Sequence, residues 1–371
     1  MQHQHSDLPP IPSNFSEIDS PFSPTNESEH RPVYMGREFR FRFHGNAMEY
    51  FGIWIVNILL TIATLSLYAP WAKVRRLRYF YNNTEFFHRF FDFTGVPTKI
   101  LIGRIIALSI WGLFALASYM EMTIAAFGGL FIYLALPWLV RATIRFTSRN
   151  SKFGNSRFYF EGTNKEAYKQ FFFAALIVIF TLGIFTPVAI WLYKRYTLNH
   201  LYAGQLKFKL NADWPSYMAA IYIPILMFIG VLLVCGILAL FAVPMQDLLL
   251  GSYMLYLVFI IYLGGLLFLG PLMQARLFIT TWNNTSLSSS QFKTDCNQWR
   301  YAWIVVSNWI VKILSIGLMS AWAAIRLYRY QIENMSLHLQ DDPNLMMNIA
   351  QQDHNAIAEE ISDIFDLDIS L

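Results

Sequence analysis

Two kinds of hydrophobic pattern alternate along this chain. Long windows hold no Asp, Glu, Lys or Arg: residues 50–72, 122–140, 170–193, 214–246 and 248–275. A helix crossing the hydrocarbon core of a bilayer needs about 20 such residues, and two of these windows exceed any plausible core helix of a soluble domain. Between them lie short stretches of strict alternation, of which Phe39-Arg40-Phe41-Arg42-Phe43 is the clearest. Phenylalanine faces one way and arginine the other, with the period of 2 that marks a half-buried strand. The windows predict helices over about 48–67, 99–120, 122–143, 167–185, 216–242, 248–272 and 301–320.

The alternating stretches recur in a longer pattern. Pro70 precedes Phe91, Pro137 precedes Phe158, Pro187 precedes Phe208 and Pro271 precedes Phe292, 21 residues apart each time. Ala321-Trp322, Arg326, Arg329-Tyr330 and Asn334 echo Pro70-Trp71, Arg75, Arg78-Tyr79 and Asn83 without the proline. Each copy has an alternating strand, an apolar segment, then a Pro-led stretch ending in a polar turn such as Asn82-Asn83-Thr84. A glycine closes the strand at 45, 95 and 162, and Ala212 and Cys296 stand at the equivalent positions. Such self-similarity is the mark of a repeat architecture.

Two apolar segments are long enough for two helices each, with Glu121 and Asp247 in the loops between them and basic residues at both ends. The positive-inside rule puts those loops outside and the basic ends in the cytoplasm. The three short segments, about 48–67, 167–185 and 301–320, have basic residues on both flanks. Their length suits full spans; their charge suits re-entrant hairpins with the Pro-led stretch as the returning arm. If every Phe-x-Phe strand faces the cytoplasm, the strands can pair into a small sheet beneath the membrane; unpaired, they are amphipathic loops.

Composition agrees with a bilayer. Of 371 residues, 55% are hydrophobic and only 14% charged, against about 25% charged in a soluble domain. The net charge of +4 is unevenly placed: the last forty residues carry nine acids and no Lys or Arg. Basic residues that flank apolar segments argue for the membrane surface and against nucleic acid. Residues 1–35, rich in Pro and Ser, and the acidic stretch 341–371 read as disordered tails around a membrane domain over 36–340. The first of these has no basic start or apolar core of a signal peptide. Cys235 and Cys296 make neither a disulfide framework nor a metal site.

Phe41-Arg42-Phe43-His44-Gly45, Glu49-Tyr50-Phe51, Asn57, Leu59-Leu60-Thr61 and Pro70-Trp71-Ala72-Lys73-Val74-Arg75 resemble the YjgN-type family of bacterial inner-membrane proteins. The resemblance covers roughly residues 35–340 and is closest in the first copy. It implies a multi-pass location in the bacterial inner membrane and no assigned activity.

The expected fold class is therefore an all-α integral membrane protein, a multi-pass helical bundle of four to seven crossings with internal repeats, plus a small cytoplasmic β element if the Phe-x-Phe strands pair. No phosphate loop, nucleophile elbow or paired metal-binding histidines occur, so neither enzyme activity nor a cofactor is expected. Candidate functional residues are the polar ones inside apolar segments: Asn57, Thr61, Asn308 and Lys312. Membrane-boundary anchors are Trp71, Arg75, Arg78, Trp138, Arg141, Arg145, Arg326 and Arg329, placed to meet anionic lipid headgroups. The leading expectation is passage or binding of a small solute or ion; the alternative is a non-transporting scaffold that binds lipid or a protein partner through a basic cytoplasmic face. Transport predicts that the four intramembrane polar residues converge on one cavity; a scaffold predicts that they point apart.

Overall fold

The computed structural model describes residues 36–118, 122–154, 156–242 and 248–340. The two expected tails, and Glu121 and Asp247, lie outside the described residues.

Five units follow one another, each a strand, two antiparallel helices and a strand. The first holds β1 (Arg37–Arg40), β2 (Arg42–Phe43), α1 (Ala47–Ala63), α2 (Ala69–Asn82) and β3 (Thr84–Phe86). The second holds β4 (Arg89–Phe93), α3 (Pro97–Ser118), α4 (Met122–Arg149) and β5 (Ser151–Phe153). The third holds β6 (Ser156–Phe160), α5 (Asn164–Phe180), α6 (Thr186–Asn199) and β7 (Leu201–Ala203). The fourth holds β8 (Leu206–Leu210), α7 (Trp214–Ala242), α8 (Leu248–Asn283) and β9 (Thr285–Leu287). The fifth holds β10 (Ser290–Thr294), α9 (Gln298–Leu314), α10 (Ser320–Glu333) and β11 (Met335–Leu339).

All strands join one antiparallel sheet in the order β1-β11-β10-β9-β8-β7-β6-β5-β4-β3-β2. Its two ends are pieces of one stretch. β1 pairs with β11, β2 pairs with β3, and the Phe41 N–H between them donates to the Met335 carbonyl. The sheet thus curls into a nearly closed barrel. This corrects the expected all-α class. A small β element was legible, but an eleven-stranded, nearly closed sheet was not. The returning strands β3, β5, β7 and β9 have three residues each, too few to show a period. Each pairs with the strand that follows it across a two-residue turn, but its partner on the other side is set only once the helices between them have folded back.

The phenylalanines of the alternating stretches fill the barrel. One from each unit, Phe41, Phe91, Phe158, Phe208 and Phe292, forms a closed pentagon with ring centroids 5.8–6.4 Å apart around the whole circuit. Buried Phe86, Phe153, Leu287 and Leu337 pack against it. Alternation exposes Arg40, Arg42, Lys207 and Lys209 on the outside.

Two local devices repeat in all five units. The first ends the second helix. The side chains of Asn83, Asn150, His200, Asn284 and Asn334 each bond the carbonyl four residues back, at 2.7–2.8 Å. Their own carbonyls accept the N–H of His44, Thr94, Glu161, Asn211 and Asp295 on the strand alongside. The second device is the small residue after the strand. A Cβ on Gly45, Gly95 or Gly162 would sit 2.3–2.5 Å from the ring of Phe43, Phe93 or Phe160. Where the larger ring is replaced, by Leu210 and Thr294, Ala212 and Cys296 take the glycine's place. Each small residue leaves room for the particular side chain two positions before it.

The helices form a second ring: each packs on the next, and α10 packs on α1. Every helical pair leaves the sheet and returns to it, so all strands lie at one end. The short segments, which length and charge read differently, are hairpins. All three have arms of 17 and 14 residues. A 17-residue arm is about 25 Å long, short of a hydrocarbon core about 30 Å thick. Their turns share backbone geometry, with positive φ at Leu65-Ser66, Leu182-Gly183 and Ile316-Gly317. The hydroxyl of Thr64, Thr181 or Ser315 accepts the N–H that opens the second arm, at 3.0–3.1 Å. Pro70 and Pro187 sit in the first turn of that arm, whereas Pro137 and Pro271 lie inside the longer α4 and α8. Four helical stretches, Pro97–Leu116, Gly128–Arg149, Trp214–Leu238 and Tyr256–Asn283, are long and apolar enough to cross a membrane.

Candidate functional site

Asn57 and Asn308 hold matching places on the first arms of the first and fifth hairpins, and both are buried. Their surroundings differ. Asn308 donates to the Ala323 carbonyl at 3.0 Å and accepts from Arg326 at 3.2 Å, which ties α9 to α10. The Asn57 side-chain oxygen is buried without a hydrogen-bond partner among the described residues. The Thr61 hydroxyl donates to the Asn57 carbonyl one turn below. Lys312 is half-buried in the last turn of α9, where the helix dipole favours a cation. None of these four lines any of the four cavities described below.

The anchor residues divide by what they touch. Arg78 donates to the Phe93 carbonyl, Arg141 to the Gly162 carbonyl and Arg329 to the Gly45 carbonyl, so each reaches the strand of the following unit. Trp191 makes the same connection to the Ala212 carbonyl, and Arg276 bonds the Gln298 side chain. The Arg75 guanidinium lies over the Tyr68 ring and that of Arg326 over Trp322. Trp71 stacks on Tyr68. Trp138 and Arg145 are half-buried on α4. The belt of arginines at the base of the second arms therefore joins unit to unit as well as facing outward.

Two cavities are almost wholly apolar. One of about 530 Å³ lies between α4, α5 and α6, and one of about 290 Å³ between α7, α8 and the start of α9. A third, of about 610 Å³, lies outside the sheet against Arg37, Arg40, Arg42 and His88. The fourth, of about 460 Å³, is polar and sits where the fifth unit meets the first. Arg300, Trp303, Trp322, Arg326, Arg329 and Glu333 surround it. This seam has no covalent link between units. Arg329 crosses it, and Arg40 pairs with Asp295 at 2.6 Å beside it. Arg300 and Trp303 were not singled out from sequence. The signal for them was a substitution: Glu49 and Glu166 occupy the place of Arg300 in the first and third units.

Those two glutamates have local work. Glu166 closes a capping box with Thr163, and Glu49 accepts the Tyr79 hydroxyl at 3.1 Å. Backbone hydrogen bonding from Thr163 holds the Glu166 carboxyl below its usual range, and His200 adds to the shift. Burial pushes the Cys296 thiol up, which makes it a poor nucleophile. Among the described residues, no group of three His, Cys, Asp or Glu is placed to hold a metal ion.

Comparison with known proteins agrees with the membrane reading. A 45-residue stretch is 53% identical to the inner membrane protein YjgN of Escherichia coli K12, covering 12% of this chain and 11% of that protein. A 69-residue stretch is 36% identical to the inner membrane protein YjgN of Salmonella typhimurium, covering 19% of this chain and 18% of that protein. The alignments thus span less than a fifth of either relative. No solved structure matches. With four membrane-length helices, these relatives place the chain in the bacterial inner membrane. Residues 38–364 match the family described as bacterial protein of unknown function (DUF898), and the chain belongs to that family.

Proposed function

We propose that this protein is a non-transporting multi-pass membrane scaffold, built from a fivefold internal repeat, which holds a closed protein ring against the cytoplasmic lipid surface. The observation that carries the reading is the phenylalanine pentagon. A ten- or eleven-stranded barrel is wide enough to need filling, and here aromatic and aliphatic side chains pack into it, which supports a solid core over a channel. Two long hairpins cross the bilayer and three short ones stop short of its far side. The tips of the short hairpins support this: Leu65, Leu182 and Ile316 are 90–94% exposed, which suits lipid and not water. The arginine belt at the base of the second arms then lies at headgroup level, with tryptophan beside it.

The transport reading draws less support. Asn57, Thr61, Asn308 and Lys312 share no cavity among those described. The test is reconstitution into sealed vesicles with a single cysteine at Leu65, Leu182 or Ile316, after replacement of Cys235 and Cys296. The scaffold reading expects no protein-dependent ion or sugar leak, and tip cysteines that resist impermeant thiol reagents on both sides. A saturable, protein-dependent flux would overturn it.

A further inference from the structure

The cavity at the seam between the fifth and first units has a composition that the anchoring role does not explain. Three arginines line it, against one carboxylate. Glu333 lies 3.8 Å from Arg329, which also bonds the Gly45 carbonyl. One nitrogen of Arg326 bonds the Ser307 hydroxyl at 2.7 Å and the Asn308 oxygen. The Arg300 guanidinium stacks over the Tyr330 ring and has no hydrogen-bond acceptor or acid among the described residues. The cavity therefore carries a net positive charge of about two with donor capacity unused.

The placement of Arg300 is unfavourable on its own. It lies in the first turn of α9, where the helix dipole favours anions and disfavours cations. The first and third units carry glutamate there, as that rule expects. The fifth unit also replaces Gly52 and Lys169 of those units with Trp303, and keeps Trp322 where the first has Trp71. It thus gives up a favourable helix-terminal charge and gains a cationic, tryptophan-flanked recess. A bound anion offsets that exchange, because it meets the guanidinium groups that line the cavity.

We infer that this cavity binds the phosphate ester of an anionic phospholipid headgroup from the cytoplasmic leaflet, held by Arg300, Arg326 and Arg329 with Trp303 and Trp322 at the glycerol level. A volume of about 460 Å³ suits a headgroup of this size. The hairpin tips beyond it, at Ile313, Leu314 and Ile316, are exposed and apolar, so acyl chains have a surface to follow. This inference rests on the scaffold reading, since it takes the arginine belt to lie at headgroup depth.

The experiment is native mass spectrometry of the full chain released from nanodiscs of phosphatidylglycerol and phosphatidylcholine in equal amounts. Wild type should retain phosphatidylglycerol preferentially. Arg300→Glu installs the residue that two sibling units already carry, so the fold should survive, which thermal unfolding checks. It should weaken retention by roughly tenfold or more, as should Arg326→Gln. Soluble glycerol phosphate should displace little of the lipid; displacement at low concentration would reassign the site to a free phosphate ester. Wild-type preference that Arg300→Glu leaves unchanged would overturn the site but spare the scaffold. No preference for the anionic lipid in wild type would overturn both.

Discussion

Gly95 and Phe93 offer a direct test of how the strand ends are built. Phe93 is fully buried among Val74, Ile100, Phe146, Leu77 and Tyr81. A methyl group on Gly95 would lie 2.5 Å from one ring carbon of Phe93 and 2.8 Å from another. Carbon atoms pack at about 3.5–4.0 Å, so the ring must move by about 1 Å into neighbours that fill its surroundings. Overpacking of this kind costs about 1–3 kcal/mol. Phe93→Leu alone should cost a comparable amount, about 1–2 kcal/mol, through lost burial and a small cavity. The double variant copies Leu210 and Ala212 of the fourth unit, where both residues occur together without conflict. It should therefore be more stable than Gly95→Ala, with a coupling of about 1–2 kcal/mol. At about 2 °C per kcal/mol, the low end for large domains, Gly95→Ala should lower the unfolding midpoint in detergent by about 2–6 °C. Adding Phe93→Leu should recover part of that loss. Strict additivity would refute the argument, because it would show that the ring and the methyl group never compete for space.

The remaining predictions concern the pentagon, the arginine belt, a cap and a hairpin tip. Phe208→Ala removes one ring from the pentagon and should cost about 3–5 kcal/mol, seen as a lower unfolding midpoint than Arg40→Ala gives on the outer face. Arg78→Ala loses the bond to the Phe93 carbonyl and should lower the midpoint by more than Arg75→Ala, whose guanidinium only covers Tyr68. Glu166 has a depressed folded-state pKa. Its cap contributes fully above the unfolded carboxylate range and is lost as pH falls through the depressed value; Glu166→Ala should therefore flatten this acid limb of the stability–pH curve and cost about 0.5–2 kcal/mol at neutral pH. Leu182→Arg puts a charge at a hairpin tip and should reduce membrane insertion, measured as abundance in the membrane fraction.

The local rules of this chain are legible in its sequence. Charge-free windows mark most of the apolar helices, and the spacing of Pro, Arg, Asn and Phe recurs along the sequence. Alternation over 39–43 already separates an apolar from a basic face, because a strand has only two faces and period 2 assigns them. Phe-x-Gly could be read as a strand end, but not as a fit between Gly45, Gly95 or Gly162 and the ring before it; that needs the distance. Only the tertiary structure decided how the copies join. Closure through Arg37–Phe43 makes the sheet a ring, and closure sets five phenylalanines, the furthest pair 251 residues apart in sequence, around one centre. The two-residue turns after β3, β5, β7 and β9 set the register of those hairpins locally, whereas pairing between strands separated by helices, such as β2 with β3 or β1 with β11, gains register only when the helices bring them together. The seam cavity is of the same kind. Arg300 alone is an ill-placed charge on a helix; the return of α10 against α1 surrounds it with Arg326, Arg329, Trp303 and Trp322. Charge and periodicity are properties of a segment, whereas a closed ring and the cavity at its seam belong to segments distant in sequence, and their energetics appear only once the ring is shut.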